Sequence, residues 1–262
     1  DRCAAISHGR AAIYRTASRR ARVGFRWRYG VQVTTTVSRG RSTRVSLIAM
    51  KLLQAVTGLV FIGYVVVHMY GNLKAFSGQT AFDEYAHHLR ELLTPMLPYG
   101  GVVWIMRVVL LLALVGHAAS AYYLWARAHQ ARPQRYAVKK AVRATISSRT
   151  MRWGGTALLA FVVFHILHLT TRTVTPGGSF ESPYLRVVNG FQIWWVTAIY
   201  VVAMIALALH LRHGTFSALQ TLGFTSTGRR YRIAQTAGLA VAVVVAGGFA
   251  LVPLSVLAGI IT

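Results

Sequence analysis

The side chains of this sequence that can do chemistry are histidines set in apolar runs. His68 ends a run that starts near Thr57, with Gly58 ten residues before it, and His165 ends a second run with Gly155 at the same interval. His117 and His210 lie in two further apolar runs. An imidazole held in hydrocarbon is costly unless something coordinates or hydrogen-bonds it. One such residue reads as a structural hydrogen-bonding group, but four, one on each of four helices, point to two metals or two haems. Cys3 is the only cysteine, which excludes an internal disulfide and a cysteine-ligated cluster, so metal chemistry has to rest on histidine.

The elements that must position these histidines are membrane spans. With 55% hydrophobic and 13% charged residues in 262, the chain is too apolar for an ordinary soluble domain, and several runs approach bilayer length. A net charge of +24 raises nucleic acid as a partner. However, 23 of the 29 basic residues fall in residues 1–44 and in two connections between apolar runs, which is a topology signal and leaves no nucleic-acid partner.

Residues 1–44 read as a basic, mobile tail whose Arg-rich, acid-poor composition also suits a targeting peptide. Five helices follow, at about 45–70, 100–126, 153–171, 191–211 and 233 to the end. The fold class expected is therefore an all-α, five-helix transmembrane bundle over 45–262. Residues 71–99 and 172–190 read as polar connections, and the fifth helix, without ionisable residues, reads as lipid-facing support. The tail, second connection and fourth connection hold 11, 8 and 4 basic residues, with Asp1 as their only acid. The first and third connections hold Asp83, Glu84, Glu91 and Glu181. The positive-inside rule then places the N-terminus in the cytoplasm and the C-terminus outside.

Depth follows at about 1.5 Å per residue. His68 is six residues before Lys74 and His165 seven before Arg172, which puts both roughly 9 to 11 Å below the outer surface. His117 and His210 lie more than half-way to the cytoplasm. Two level pairs make two axial His–iron–His sites stacked across the bilayer, a way to carry electrons through a low-dielectric layer. Gly58, Gly63 and Gly155 either admit a macrocycle edge or only permit close helix packing. His168, one turn beyond His165, and His213, three residues after His210, are alternate ligands. His8, His87, His88 and His129 read as solvated. Arg107, inside the second helix at the depth of the outer pair, either meets a haem propionate or reaches for the interface.

The chain from about 43 to 262 resembles the single-polypeptide, five-helix, two-haem cytochrome b anchor of bacterial succinate dehydrogenases and fumarate reductases. The motifs that carry this are Leu53-Gln54-Ala55-Val56-Thr57-Gly58 before His68, His68-Met69-Tyr70-Gly71-Asn72-Leu73 after it, His117, the Gly155-to-His165 interval, and His210-Leu211-Arg212-His213-Gly214. The resemblance implies two haem b groups, an outer one on His68 and His165 and a cytoplasm-side one on His117 and His210. It implies a flavoprotein and an iron–sulfur protein docked on the cytoplasmic face of a bacterial plasma membrane, and electron transfer to a quinone, usually menaquinone.

In this family an acid in the first connection handles the quinone's protons. Glu91 is the nearest match by spacing and Glu84 the next. The chain has no nucleotide-binding glycine motif, so succinate chemistry would reside on the partners and this chain would be the membrane subunit of the enzyme. Two other readings share the histidines: a two-haem subunit of a hydrogenase, formate dehydrogenase or nitrate reductase, and a haem-free proton-relay or transport bundle.

Overall fold

The computed structural model describes residues 22–26, 32–36, 46–131 and 146–262. The chain divides into two units, Asp1–Val45 and Ser46–Thr262. In the first, strands β1 (Arg22–Arg26) and β2 (Gln32–Thr36) pair antiparallel, with Gly24 opposite Thr34. The rest of the basic tail, with Cys3 and His8, lies outside the described residues.

The second unit is helical. Its helices are α1 (Leu47–Leu73), α2 (Gln79–Glu91), α3 (Gly101–Gln130), α4 (Ile146–His165), α5 (Pro183–Phe191), α6 (Trp194–Thr221) and α7 (Gly228–Leu257). Five stretches are long and apolar enough to cross a bilayer: Leu47–Ser77, Gly101–Gln130, Thr150–Thr170, Trp194–Thr221 and Gly228–Leu257. This is the five-helix transmembrane bundle expected from the sequence.

Both connections read as polar, 71–99 and 172–190, hold a helix. In 71–99, α2 is amphipathic and sits between the left-handed Gly78 and the turn residues after Glu91. In 172–190, Ser182 caps α5 by accepting from the Leu185 amide, and Pro183 takes the first turn, where its missing N–H costs nothing. Asp83 of α2 ties the two together, accepting from the Ser182 hydroxyl at 2.6 Å and the Tyr184 amide at 3.0 Å. The residues of α5 then plug one end of the bundle. Val187, Val188 and Phe191 are buried with Val196 and Tyr200 of α6 and Val252 and Val256 of α7.

The reading of the last helix as lipid-facing support is corrected. In α7's most apolar stretch 39% of residues are buried, against 6% in α3, and α7 packs along α6 and also on α1 and α5. Ala234, Gly238 and Ala242 are all buried on one face at four-residue spacing. In a membrane, where apolarity does not drive helix association, such small residues let backbones approach. A Cβ on Gly238 would stand 2.6 Å from the carbonyl oxygen of Arg212. The absence of charge after Arg232 was a weaker signal than this spacing of small residues.

Within the bundle α1 packs on α3, α6 and α7, and α4 packs on α6. Among the described residues, α1 and α4 approach each other at isolated points at most, and so do α3 and α6. These are the two helix pairs that carry the histidines.

Candidate cofactor site: two facing histidine pairs

The structure brings the four histidines together in the two pairs expected from depth. The rings of His68 (α1) and His165 (α4) have centroids 5.8 Å apart and planes at 80°. Those of His117 (α3) and His210 (α6) are 6.1 Å apart at 58°. An imidazole nitrogen about 2.0 Å from a metal puts the ring centre roughly 3.2 Å from it, so two axial imidazoles on one ion stand about 6.4 Å apart. Both spacings are close to that. Neither pair is stacked, and in both cases the bearing helices leave a gap between them.

The two glycines have a more definite place than the sequence suggested. Gly58, on the helix of His68, faces the other pair: a Cβ there would be 3.5 Å from His117 Cε1. Gly155, on the helix of His165, faces His210 at 3.3 Å. Ten residues are about 15 Å of helix. Thus α1 and α4 each give a histidine to one pair and a bare backbone wall to the other. A Cβ on Gly63 would have nothing within 4 Å, so it contacts neither pair.

Hydrogen bonds set which ring nitrogen of His117 is bare. Its Nδ1 lies 3.1 Å from Thr57 Oγ1. The Thr57 hydroxyl donates its single proton to the Leu53 carbonyl at 2.7 Å, so it accepts from His117 Nδ1–H and leaves Nε2 bare, the form a metal ligand needs. His210 Nδ1 is buried and has no partner among the described residues. The His210 side chain also lines an apolar cleft of about 220 Å³ between α4 and α6, with Met151, Gly154, Val202, Ala206 and Leu209.

At the other pair, Tyr64 stacks on His68 with centroids 5.3 Å apart, and Phe249 packs against it at 5.5 Å. His165 Nδ1 is 3.3 Å from the Tyr200 hydroxyl. His168 lies in a wide turn, Ile166–Thr170, that follows α4, and its Nδ1 is 3.0 Å from the same hydroxyl. His168 is 4% exposed and wedged at Gly190, where a Cβ would stand 2.8 Å from its Nε2. It is therefore His165, not His168, whose ring faces His68. His213 is half-buried one turn past His210, whose ring is the one facing His117. The roles of Thr57 and Tyr200 went unread in the sequence. Tyr200 had left one signal, a phenol in the early turns of an apolar run, one turn after Thr197.

Of the remaining candidates, Arg107 acts electrostatically on the Tyr64 phenol, whose ring stacks on His68. Arg107 is exposed, its guanidinium 5.0 Å over the Trp104 ring one turn nearer the start of α3, the pose of a side chain reaching along the helix toward an interface. Glu84 is exposed on α2. Glu91 is also exposed, with Oε2 3.5 Å from His87 Nδ1. Beside them, burial and the neighbouring Tyr70 push the Tyr85 phenol up, while Lys74 pulls it back. Arg186 of α5 donates to the Leu169 carbonyl at 3.1 Å and so ties α5 to the wide turn bearing His168; burial, reinforced by Arg172 and Arg90, holds its guanidinium below the usual value.

The described residues contain no group of three or more His, Cys, Asp or Glu side chains able to hold an ion by themselves. Two-imidazole axial ligation needs none, because a porphyrin supplies the other four nitrogens. No protein-family model, curated protein or solved structure matches the chain.

Proposed function

We propose that this chain is a membrane-embedded electron carrier that holds two haem b groups, one between His68 and His165 and one between His117 and His210. The observation that carries this is the pair of imidazole couples at axial-ligand spacing, each bridging two helices that do not pack on one another. A haem held by each couple would supply one-electron transfer.

The chain's own residues do the rest. His117 presents Nε2 because Thr57 holds its Nδ1 proton. Gly58 and Gly155 keep side chains clear of the second couple, and the apolar walls of α1, α4, α6 and α7 exclude water. The ten-residue offset sets the couples about 15 Å apart along the bundle, a relay across the low-dielectric layer.

We propose further that the chain is the anchor of a succinate:quinone oxidoreductase in a bacterial plasma membrane. The flavoprotein and iron–sulfur partners dock on the face that carries the basic connections, which is the cytoplasmic one by the positive-inside rule. On this reading His117 and His210 would hold the haem nearer the partners and His68 and His165 the haem nearer the quinone, whose protons Glu91 or Glu84 would serve. The exposure of both acids supports access to water, and the motif order given above supports the family.

The test is the reduced-minus-oxidised spectrum and haem stoichiometry of the purified chain. Two low-spin haems per chain are expected, with one lost in His165→Ala and the other in His210→Ala. A preparation without a Soret band overturns the haem assignment. Co-purification of a succinate-oxidising flavoprotein tests the second proposal by itself, and capture of a hydrogenase or formate dehydrogenase subunit instead would refute it.

A further inference from the structure

Tyr200 is 5% exposed, boxed by Phe191 with ring centres 4.7 Å apart and by Phe161 at 5.0 Å, and its hydroxyl lies between two imidazole nitrogens. The hydroxyl is 3.0 Å from His168 Nδ1 and 3.3 Å from His165 Nδ1. One hydroxyl has one proton. It can donate to only one ring and must accept from the other, so the two tautomers are tied in opposite senses.

We propose that Tyr200 and His168 are positioning residues that set the tautomer of His165: the Tyr200 hydroxyl donates to His168 Nδ1 and accepts from His165 Nδ1–H. This rests on the haem reading. The shorter contact is the one assigned to the O–H donor and the longer to the N–H donor, the usual order of their lengths. His165 is left with a bare Nε2 towards His68 and with a hydrogen bond from Nδ1 that makes it a more electron-rich ligand. His168 is thereby not a spare ligand. The wide turn carries it round to the hydroxyl, Gly190 gives its ring room, and it draws the tyrosine proton away from His165.

Sign-specific effects follow. Without the hydroxyl, His165 loses its hydrogen-bond acceptor and becomes a poorer donor to iron, which favours the ferrous state. Without His168, the tyrosine proton is free to turn to His165 Nδ1, which moves the imidazole proton to Nε2 and blocks ligation.

The test uses the full chain in membranes or detergent, with Tyr200→Phe, His168→Phe and the double variant, read by haem stoichiometry, by redox titration of the two haems and by low-temperature electron paramagnetic resonance. Tyr200→Phe should keep both haems and shift the midpoint potential of the His68–His165 haem upward, leaving the other unmoved. His168→Phe should lower occupancy of that same haem, and adding Tyr200→Phe should restore it. His168→Gln, which keeps an acceptor for the tyrosine proton, should retain occupancy and supplies the comparison if the phenylalanine variant does not accumulate. An unchanged potential in Tyr200→Phe, or a double variant no better loaded than His168→Phe, overturns the proposal. A wild-type chain without haem overturns the underlying reading instead, and the two failures are distinct.

Discussion

Replacing Gly155 by valine should deplete the histidine couple that its own helix does not ligate. A Cβ at that position stands 3.3 Å from His210 Cε1 and 3.6 Å from Nδ1, tight but tolerable if the ring yields by a few tenths of an ångström. Gly155→Ala should therefore keep both haems. Valine adds branches about 1.5 Å beyond the Cβ, and a branch turned to the ring requires it to retreat by roughly 1 Å. A ligand constellation tolerates displacement of only about 0.5 Å. Overpacking of this kind costs about 1–3 kcal/mol, or roughly 5- to 150-fold in affinity for the bound group.

The assay is haem content per chain and a redox titration resolved into two components for the Gly155→Ala and Gly155→Val chains. The His117–His210 component should fall in the valine variant while the His68–His165 component persists, although His165 is on the same helix as the mutation. Loss of the His68–His165 component alone would refute the crossed arrangement of ligand and wall. Retention of both at unchanged potentials would show that the glycine only eases helix packing.

Three further outcomes are expected. Thr57→Val removes the acceptor of His117 Nδ1–H, and a ligand's lost outer partner typically costs about 10- to 100-fold in metal affinity. The His117–His210 haem should become labile to dilution while the other stays put, and equal retention of both would show that Thr57 serves only α1. Gly238→Leu drives a side chain into the Arg212 backbone and should lower the bundle's melting temperature, read by circular dichroism, through a cost of about 1–3 kcal/mol or more; an unshifted transition would mean that α6 and α7 can part there without loss. Glu91→Gln should abolish quinone turnover while dye-linked succinate oxidation by the assembled complex and both haem spectra remain, and normal quinone activity in both Glu91→Gln and Glu84→Gln would move the quinone site elsewhere.

What was legible in the sequence was what leaves a periodic or compositional trace. The spans showed as apolar runs. The pairing of His68 with His165 and of His117 with His210 showed as depth, because a helix rises by a fixed step and the flanking charges mark the boundaries. The rest depended on facing surfaces. The α5 plug was hidden because nine residues opened by Ser182 and Pro183 look like a turn when the Asp83 that anchors them lies far off in the chain. The burial of α7 was hidden because alanine, glycine and valine suit both lipid and a close helix contact. The partners of the histidines could not be read at all: Thr57 and Tyr200 sit at azimuths that only the packed bundle defines.

The crossed use of α1 and α4 also bears on how such a protein is made. A chain entering the membrane from its N-terminus delivers His68 with α1 and His117 with α3 before either has a facing imidazole. The first couple closes only when α4 arrives, and the second only with α6. Neither half of the polypeptide owns a complete site, so an interrupted chain would offer single imidazoles that hold a haem weakly. On the haem reading, loading would be tied to completion of the bundle, and the cofactor would serve as a check that the later helices have docked.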